Sequence, residues 1–218
     1  MSFPFAATVS LSAVDSDPDS DEALLMRYHE GDEEAFVELY RRHRVGLYRF
    51  IHGLCSSAAQ TDEIFQETWF ALIRSGTMPD GRARFKTWLY QIARHRLIDQ
   101  WRRHESAAME AFDETEHTPL DEYGSGASGT PETLALRSEQ LRQIAIAVET
   151  LPFPQREVFL LRAHAGMELS EIAALTDTPL EAIKSRYRYA LARLRQRLRS
   201  LSPTEESGPR ELKLKALS

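Results

Sequence analysis

The chain has one cysteine, Cys55, among 218 residues, so no internal disulfide can staple it, in keeping with a reducing compartment. It lacks any apolar run approaching the roughly 20 residues that span a bilayer. The mildly apolar start, Met1 to Val14, has neither the basic flank nor the compact apolar core of a secretory signal, and the expected place of action is the cytoplasm. No alternating strand pattern, Gly-rich phosphate loop or internal repeat occurs. His52-Gly53-Leu54-Cys55 has the outline of half a zinc site. Tetrahedral zinc needs further ligands, and the remaining histidines fall at no ligand spacing, so no metal and no cofactor is expected. No nucleophile-elbow motif is present either, which leaves an enzyme reading with only unpaired Ser and His residues behind it.

An excess of basic residues is also missing, since Lys and Arg number 27 against 33 Asp and Glu, a formal charge of -6. Electrostatic footprints are local, however, and the charge is unevenly divided along the chain. Residues 1-21 form an acidic extension without Lys or Arg, and residues 105-133 carry eight acids, again without a base. Between and after them lie two mildly basic bodies: residues 23-104, with thirteen bases and ten acids, and residues 134-201, with eleven bases and seven acids. The acidic connector includes Gly124-Ser125-Gly126-Ala127-Ser128-Gly129-Thr130-Pro131, a run too polar to offset its ordering entropy and therefore a flexible linker. How the two bodies pack against each other is left open by such a linker. The tail, residues 202-218, follows a Pro203 stop and balances three bases against three acids.

Both bodies have helical period. Leu24, Leu25 and Tyr28, then Phe36, Leu39 and Tyr40, then Leu47, Phe50, Ile51 and Leu54 recur at steps of three and four, and the stretches Asp62 to Arg74 and Arg84 to Trp101 continue the pattern. The expected fold is all-α, with two small helical domains, residues 22-104 and 134-201, joined by the acidic linker 105-133.

The sharpest motif lies between Leu151 and Leu201. Pro152 to Ala165 reads as a helix stopped by Gly166, Leu169 to Leu175 as a short helix entered through Ser170, and Asp177-Thr178 as the turn of a helix-turn-helix. The next helix has Thr178 as cap, Pro179 at its first position and Glu181 to complete a capping box. Its apolar stripe is Ile183, Tyr187, Ala190, Leu191, Leu194, Leu198 and Leu201, and residues 180-201 hold seven bases against one acid. A recognition helix needs this division, because Lys and Arg position the helix on phosphates while a few side chains near its start reach base edges. Lys184, Ser185, Arg188 and Tyr189 are the side chains so placed.

In the first body, Asp62 to Ile73 is an amphipathic helix with acids expected in its first turn, where the helix dipole favours them. The segment Arg82 to Arg103 interleaves bases with Trp88, Tyr90 and Trp101, the mixture expected where bases are stacked and a backbone is tracked. Trp88 and Leu89 are assigned to the core. Arg94, His95, Arg96, Arg102 and Arg103 are candidates for contact with nucleic acid.

Three segments carry a resemblance: Asp62-Glu63-Ile64-Phe65-Gln66-Glu67, Phe85-Lys86-Thr87-Trp88-Leu89-Tyr90-Gln91-Ile92-Ala93-Arg94, and Leu151-Pro152 through Arg156 to Arg162 with Ile183-Lys184-Ser185-Arg186. Together they resemble the extracytoplasmic-function (ECF) group of bacterial sigma factors in the sigma-70 family, in the right order, over about residues 22-104 and 134-200. The resemblance implies a dissociable, non-catalytic subunit of RNA polymerase that directs promoter recognition, DNA melting and transcription initiation. Asp62, Glu63, Phe65, Gln66 and Glu67 would bind the clamp helices of the largest polymerase subunit. Met78, Pro79, Asp80, Arg82, Arg84, Trp88, Arg94 and His95 would handle the -10 element, with a flipped base held in the loop Gly76 to Ala83. Flipping costs a few kcal/mol that the pocket must repay by stacking and hydrogen bonds. Lys184, Ser185, Arg188 and Tyr189 would read the -35 element, and the acidic linker would thread towards the RNA exit path.

The sequence departs from the family pattern at His95, where members often carry Asn, and at Tyr189, where a basic residue is common. At the start of the polymerase-binding helix, Gln60-Thr61 precedes Asp62-Glu63 where an acid and a small residue are frequent. A phosphate on Thr61 would add about -1.5 to -2 charge at a helix N-terminus, which makes Thr61 a possible phosphorylation site alongside the simpler role of N-cap. An anti-sigma factor or a Ser/Thr kinase is the expected class of regulator. The rival reading is a stand-alone helix-turn-helix regulator that acts without polymerase core.

Overall fold

The computed structural model describes residues 17-75, 84-107 and 131-201. Among these residues the fold is all-helical, in the order α1 (Asp21–His29), α2 (Glu33–His52), α3 (Ala58–Ser75), α4 (Phe85–Ala107), α5 (Pro131–Glu149), α6 (Phe153–His164), α7 (Leu169–Thr176) and α8 (Leu180–Leu201). The apolar periods of the first body and of the 151-201 motif fall on helices, while α4 runs on to Ala107 and α5 starts at Pro131, both inside the stretch 105-133 assigned to the linker. The helix ends are set by side chains that satisfy the first, otherwise orphaned, N–H groups.

Ser20 opens α1, its Oγ accepting from the Ala23 N–H at 3.2 Å. After Gly31 turns the chain at φ 102, Asp32 opens α2 by accepting from the Glu34 and Ala35 N–H groups. The acidic extension is therefore shorter than its charge suggested. Asp21 pairs with His43 at 2.6 Å and with Arg42 at 3.2 Å, and Glu22 accepts from the Phe85 N–H at 2.8 Å. These two acids belong to the helical body.

Three start signals differ from the sequence expectation, the first being that of α7, which Glu168 caps while Ser170 lies inside the helix. Helix α3 begins at Ala58, with Ser57 Oγ accepting from the Gln60 N–H, because Ala58 and Ala59 are strong helix formers behind a serine cap. Asp62 and Glu63 consequently lie beyond the first turn, where the dipole has faded, and Thr61 is not an N-cap. In α8 the expected capping box is not formed: Thr178 Oγ1 donates to the Thr176 carbonyl, and Glu181 pairs with Lys184 at 2.7 Å. A glutamate at the third position closes α7 instead, Glu171 accepting from the Glu168 N–H at 2.7 Å.

Helices α1 to α4 enclose Leu39, Leu47, Phe50, Ile51, Leu72, Phe85 and Leu89, all fully buried. Each such side chain contributes roughly 1.5–3 kcal/mol of burial. Around them Phe36, Tyr40, Phe65 and Trp69 meet mostly edge to face, as ring quadrupoles prefer. Helices α5 to α8 close over Leu151, Val158, Leu161, Met167, Ile172, Ile183 and Ala190.

The two units also pack on each other, α2 and α4 against α6 and α7. Gly46 on α2 leaves no room for a side chain, since a Cβ there would lie 2.7 Å from the His164 carbonyl oxygen, and Gly53, which caps the end of α2, lies against Leu160, where a Cβ would fall 2.7 Å from Cδ1. Trp101 meets the ring of Phe153 at 3.9 Å between centroids.

Candidate nucleic-acid interface

The helix-turn-helix is built by two left-handed turns. Gly166, at φ 61, ends the run of α6, and Asp177, at φ 49, makes the corner between α7 and α8; Asp is among the few non-glycine residues that tolerate this region. Arg162 braces the first turn, donating to the Met167 carbonyl and pairing with Glu168, each at 2.7 Å. Ile183, Ala190 and Leu194 bury the inner stripe of α8, which turns the other side outward.

On that side Lys184, Arg188 and Tyr189 are exposed and Ser185 is partly so. Tyr189 is 55% exposed, and the Arg188 guanidinium lies 5.4 Å from its ring centroid, within cation–π range. That contact holds a planar, half-apolar surface beside a positive charge at the start of the helix. Arg193, Arg195, Arg197 and Arg199 extend the exposed basic face.

The -10 candidates separate into three groups. Met78, Pro79, Asp80 and Arg82 lie outside the described residues. Trp88 is buried against Phe85, as its core assignment required, so it supports the face without presenting itself on it. Arg84 and His95 are exposed and Arg94 is partly buried. Arg94 and Arg84 are engaged from the other unit: Arg94 Nε donates to Glu157 at 2.8 Å, and Arg84 Nη1 to Glu171 at 3.3 Å. The Glu157 side chain is only 3% exposed, so this first ion pair is shielded from solvent.

On α3, Asp62, Glu63 and Gln66 are exposed and Glu67 is partly so. Asp62 accepts from the Tyr48 hydroxyl, Glu63 from Gln100, and Glu67 lies 3.7 Å from Arg96. Phe65, assigned to this surface from sequence, is instead buried among Tyr40, Tyr48 and Trp69. What stands exposed beside the acids is Phe70 and Ile73. The available signal was helical spacing, since Phe70 lies seven positions from Glu63 and four from Gln66, and Ile73 seven from Gln66. Thr61 is fully buried and its hydroxyl donates to the Ser57 carbonyl at 2.9 Å, so in this conformation it offers nothing to a modifying enzyme. Cys55 is also withdrawn, burial pushing its thiol up to about 11.

Residues 39–107 match the family model for Sigma-70 region 2, and residues 147–196 the model for Sigma-70, region 4. The chain is similar to the ECF RNA polymerase sigma-E factor of Escherichia coli (strain K12), 31% identical over 77% of this chain and 88% of the relative. To the ECF RNA polymerase sigma factor SigX of Bacillus subtilis it is 28% identical, over 78% and 86%. Its fold is similar to that of CnrH in complex with the cytosolic domain of CnrY, with a TM-score of 0.57 and 22% identity over 83% of this chain and 97% of that one. It is also similar to the sigma factor RpoE in complex with the anti-sigma factor NepR from Bartonella quintana, with a TM-score of 0.58 and 23% identity over 70% and 89%.

Proposed function

The chain belongs to the ECF sigma factors of the sigma-70 family, which bind core RNA polymerase and direct promoter recognition, and we propose that named faces of its two units divide that task. The observation that carries the division is the outward face of α8, where Lys184, Arg188 and Tyr189 stand exposed on a helix whose opposite stripe is buried. These side chains, with Ser185, read the -35 element in the major groove. Arg193, Arg195 and Arg199 hold the helix on phosphates.

The N-terminal unit, residues 21-104, takes the polymerase and the -10 element. Asp62, Glu63, Gln66 and Glu67, joined by Phe70 and Ile73, dock on the clamp helices, acids supplying orientation and the two apolar side chains the dry contact. Arg84, Arg94 and His95, with Met78, Pro79, Asp80 and Arg82 in the segment before them, engage the melted strand. The linker, residues 105-133, spans the two, and residues 1-20 and 202-218 flank them. The role is that of a non-catalytic initiation factor in the cytoplasm, regulated by an anti-sigma factor or a kinase. A kinase acting at Thr61 would first have to open the turn that buries it.

Run-off transcription with purified core polymerase tests this reading. The chain confers initiation on a promoter that core alone does not use. Shifting the same DNA without core, and adding nothing with it, is the result of an operator-binding regulator and sinks the proposal.

A further inference from the structure

Residues 180-201 hold seven bases and one acid, Glu181, and that acid does not close the start of α8. Backbone does so, the Ala182 and Ile183 N–H groups both donating to the Pro179 carbonyl. The Glu181 side chain stands 83% exposed and pairs with Lys184 at 2.7 Å. At about 3.6 residues per turn, it falls on the side of α8 that carries Lys184, Ser185 and Arg188, opposite Ile183, Ala190 and Leu194, which are buried. A carboxylate in the middle of a face that meets phosphates works against affinity. A contact that needs an acceptor accounts for its place there.

We propose that Glu181 is a specificity-determining residue of α8, accepting a hydrogen bond from the amino group of a cytosine in the -35 duplex, while Lys184 holds the carboxylate and screens it from the phosphates. This rests on the reading of α8 as the -35 helix and adds one base to what that helix selects. An ionised carboxylate only accepts, and the donors in the major groove are the amino groups of cytosine and adenine. Adenine carries the acceptor N7 beside its amino group, which repels a carboxylate, whereas the cytosine edge offers the donor alone. Thymine turns its O4 acceptor on the carboxylate and guanine its O6 and N7, so three of the four bases are disfavoured. Glu181 therefore acts by rejecting wrong bases as much as by holding the right one. The Lys184 ammonium has three donors, and those that Glu181 leaves free reach phosphate or purine acceptors beside the cytosine.

The full chain is selected at low salt on a library of randomised duplexes, and fluorescence anisotropy is then measured on the selected duplex and on one in which the assigned C·G pair is replaced by T·A. Wild type selects a cytosine at one position and binds the T·A duplex about tenfold more weakly, within the range of a base-edge contact. Glu181→Ala binds the two duplexes alike. Glu181→Gln moves the selection at that position to adenine, because an amide donates to N7 and accepts from the N6 amino group. A wild-type selection without the cytosine overturns the proposal, as do variants that keep the wild-type base preference. Variants that tighten binding to every duplex by the same factor overturn it as well, since that is the effect of taking a solvated acid off a basic face. Where circular dichroism shows that Glu181→Ala frays the helix, Glu181→Gln, which keeps the shape of the side chain, decides. Failure of the sigma-factor reading shows separately, as a chain that keeps this base preference and is inactive with core in run-off transcription.

Discussion

Glu22, on α1, accepts a hydrogen bond at 2.8 Å from the backbone N–H of Phe85, the first residue of α4. A side chain from the start of the body thus caps a helix 63 positions away and fixes where α4 begins. Removing it as Glu22→Ala should cost about 1 kcal/mol, the usual value of a lost cap, and lower the melting temperature by about 2–4 °C. Thermal denaturation followed by circular dichroism reads this. A variant that melts with wild type would mean that the bond contributes nothing.

His164 supplies a pH dependence. Burial, followed by the nearby positive charge of Arg49 on α2, lowers it from 6.5 to about 4. The packed state therefore favours the neutral ring. Its stabilising effect is fully present above about pH 6.5 and is lost as the pH falls towards 4, because the exposed ring takes up a proton that the packed one refuses. The whole effect is at most about 3 kcal/mol. Scattering or denaturant melts across pH 7 to 4 should show the decline, and His164→Gln should flatten it. A wild-type profile unchanged down to pH 4 contradicts the assignment.

Tyr189 is exposed and supports nothing in the core. Tyr189→Arg should leave the melting temperature within the scatter of surface substitutions but change the preferred base at one -35 position by about tenfold, in line with 1–3 kcal/mol for a base contact. Arg193→Ala, further along the helix, should instead weaken binding to all sequences and reduce the salt slope by about one. Anisotropy titrations over a panel of -35 variants separate the two behaviours.

Phe70, 56% exposed on α3, should matter for docking and not for folding. Phe70→Ser is expected to weaken binding to core polymerase roughly thirtyfold, the lower bound of an interface hot spot at about 2 kcal/mol, with an unchanged melt. Equal core affinity in a competition assay would remove Phe70 from the docking face.

Thr61 is enclosed, so a glutamate there is no mimic of a phosphate at a helix end. Thr61→Glu should destabilise the N-terminal unit by about 2 kcal/mol or more, since it forces a carboxylate into the site of a satisfied hydroxyl. Thr61→Ser should be near neutral. A Thr61→Glu chain that is stable and more active in transcription would reinstate the switch.

The amino-acid sequence determined whatever depends on neighbours a few positions apart. The three- and four-residue apolar steps fixed the helices, Gly166 and Asp177 marked the corners around α7, and Ile183, Ala190 and Leu194 set which side of α8 faces outward. Even at this range the competition between start signals misled at three places, since Ser57 captured the beginning of α3, Glu168 took that of α7 from Ser170, and Lys184 took Glu181. Tertiary structure alone decided the pairings between distant residues. Glu22 had no partner legible in the sequence, Arg94 read as a base free for nucleic acid, and Phe65 as part of a docking surface. Glu22 meets Phe85 and Arg94 meets Glu157, each across 63 positions. No local period encodes such a meeting, because it forms only when buried faces bring the two segments together and leave a charge or an N–H that must find its partner there.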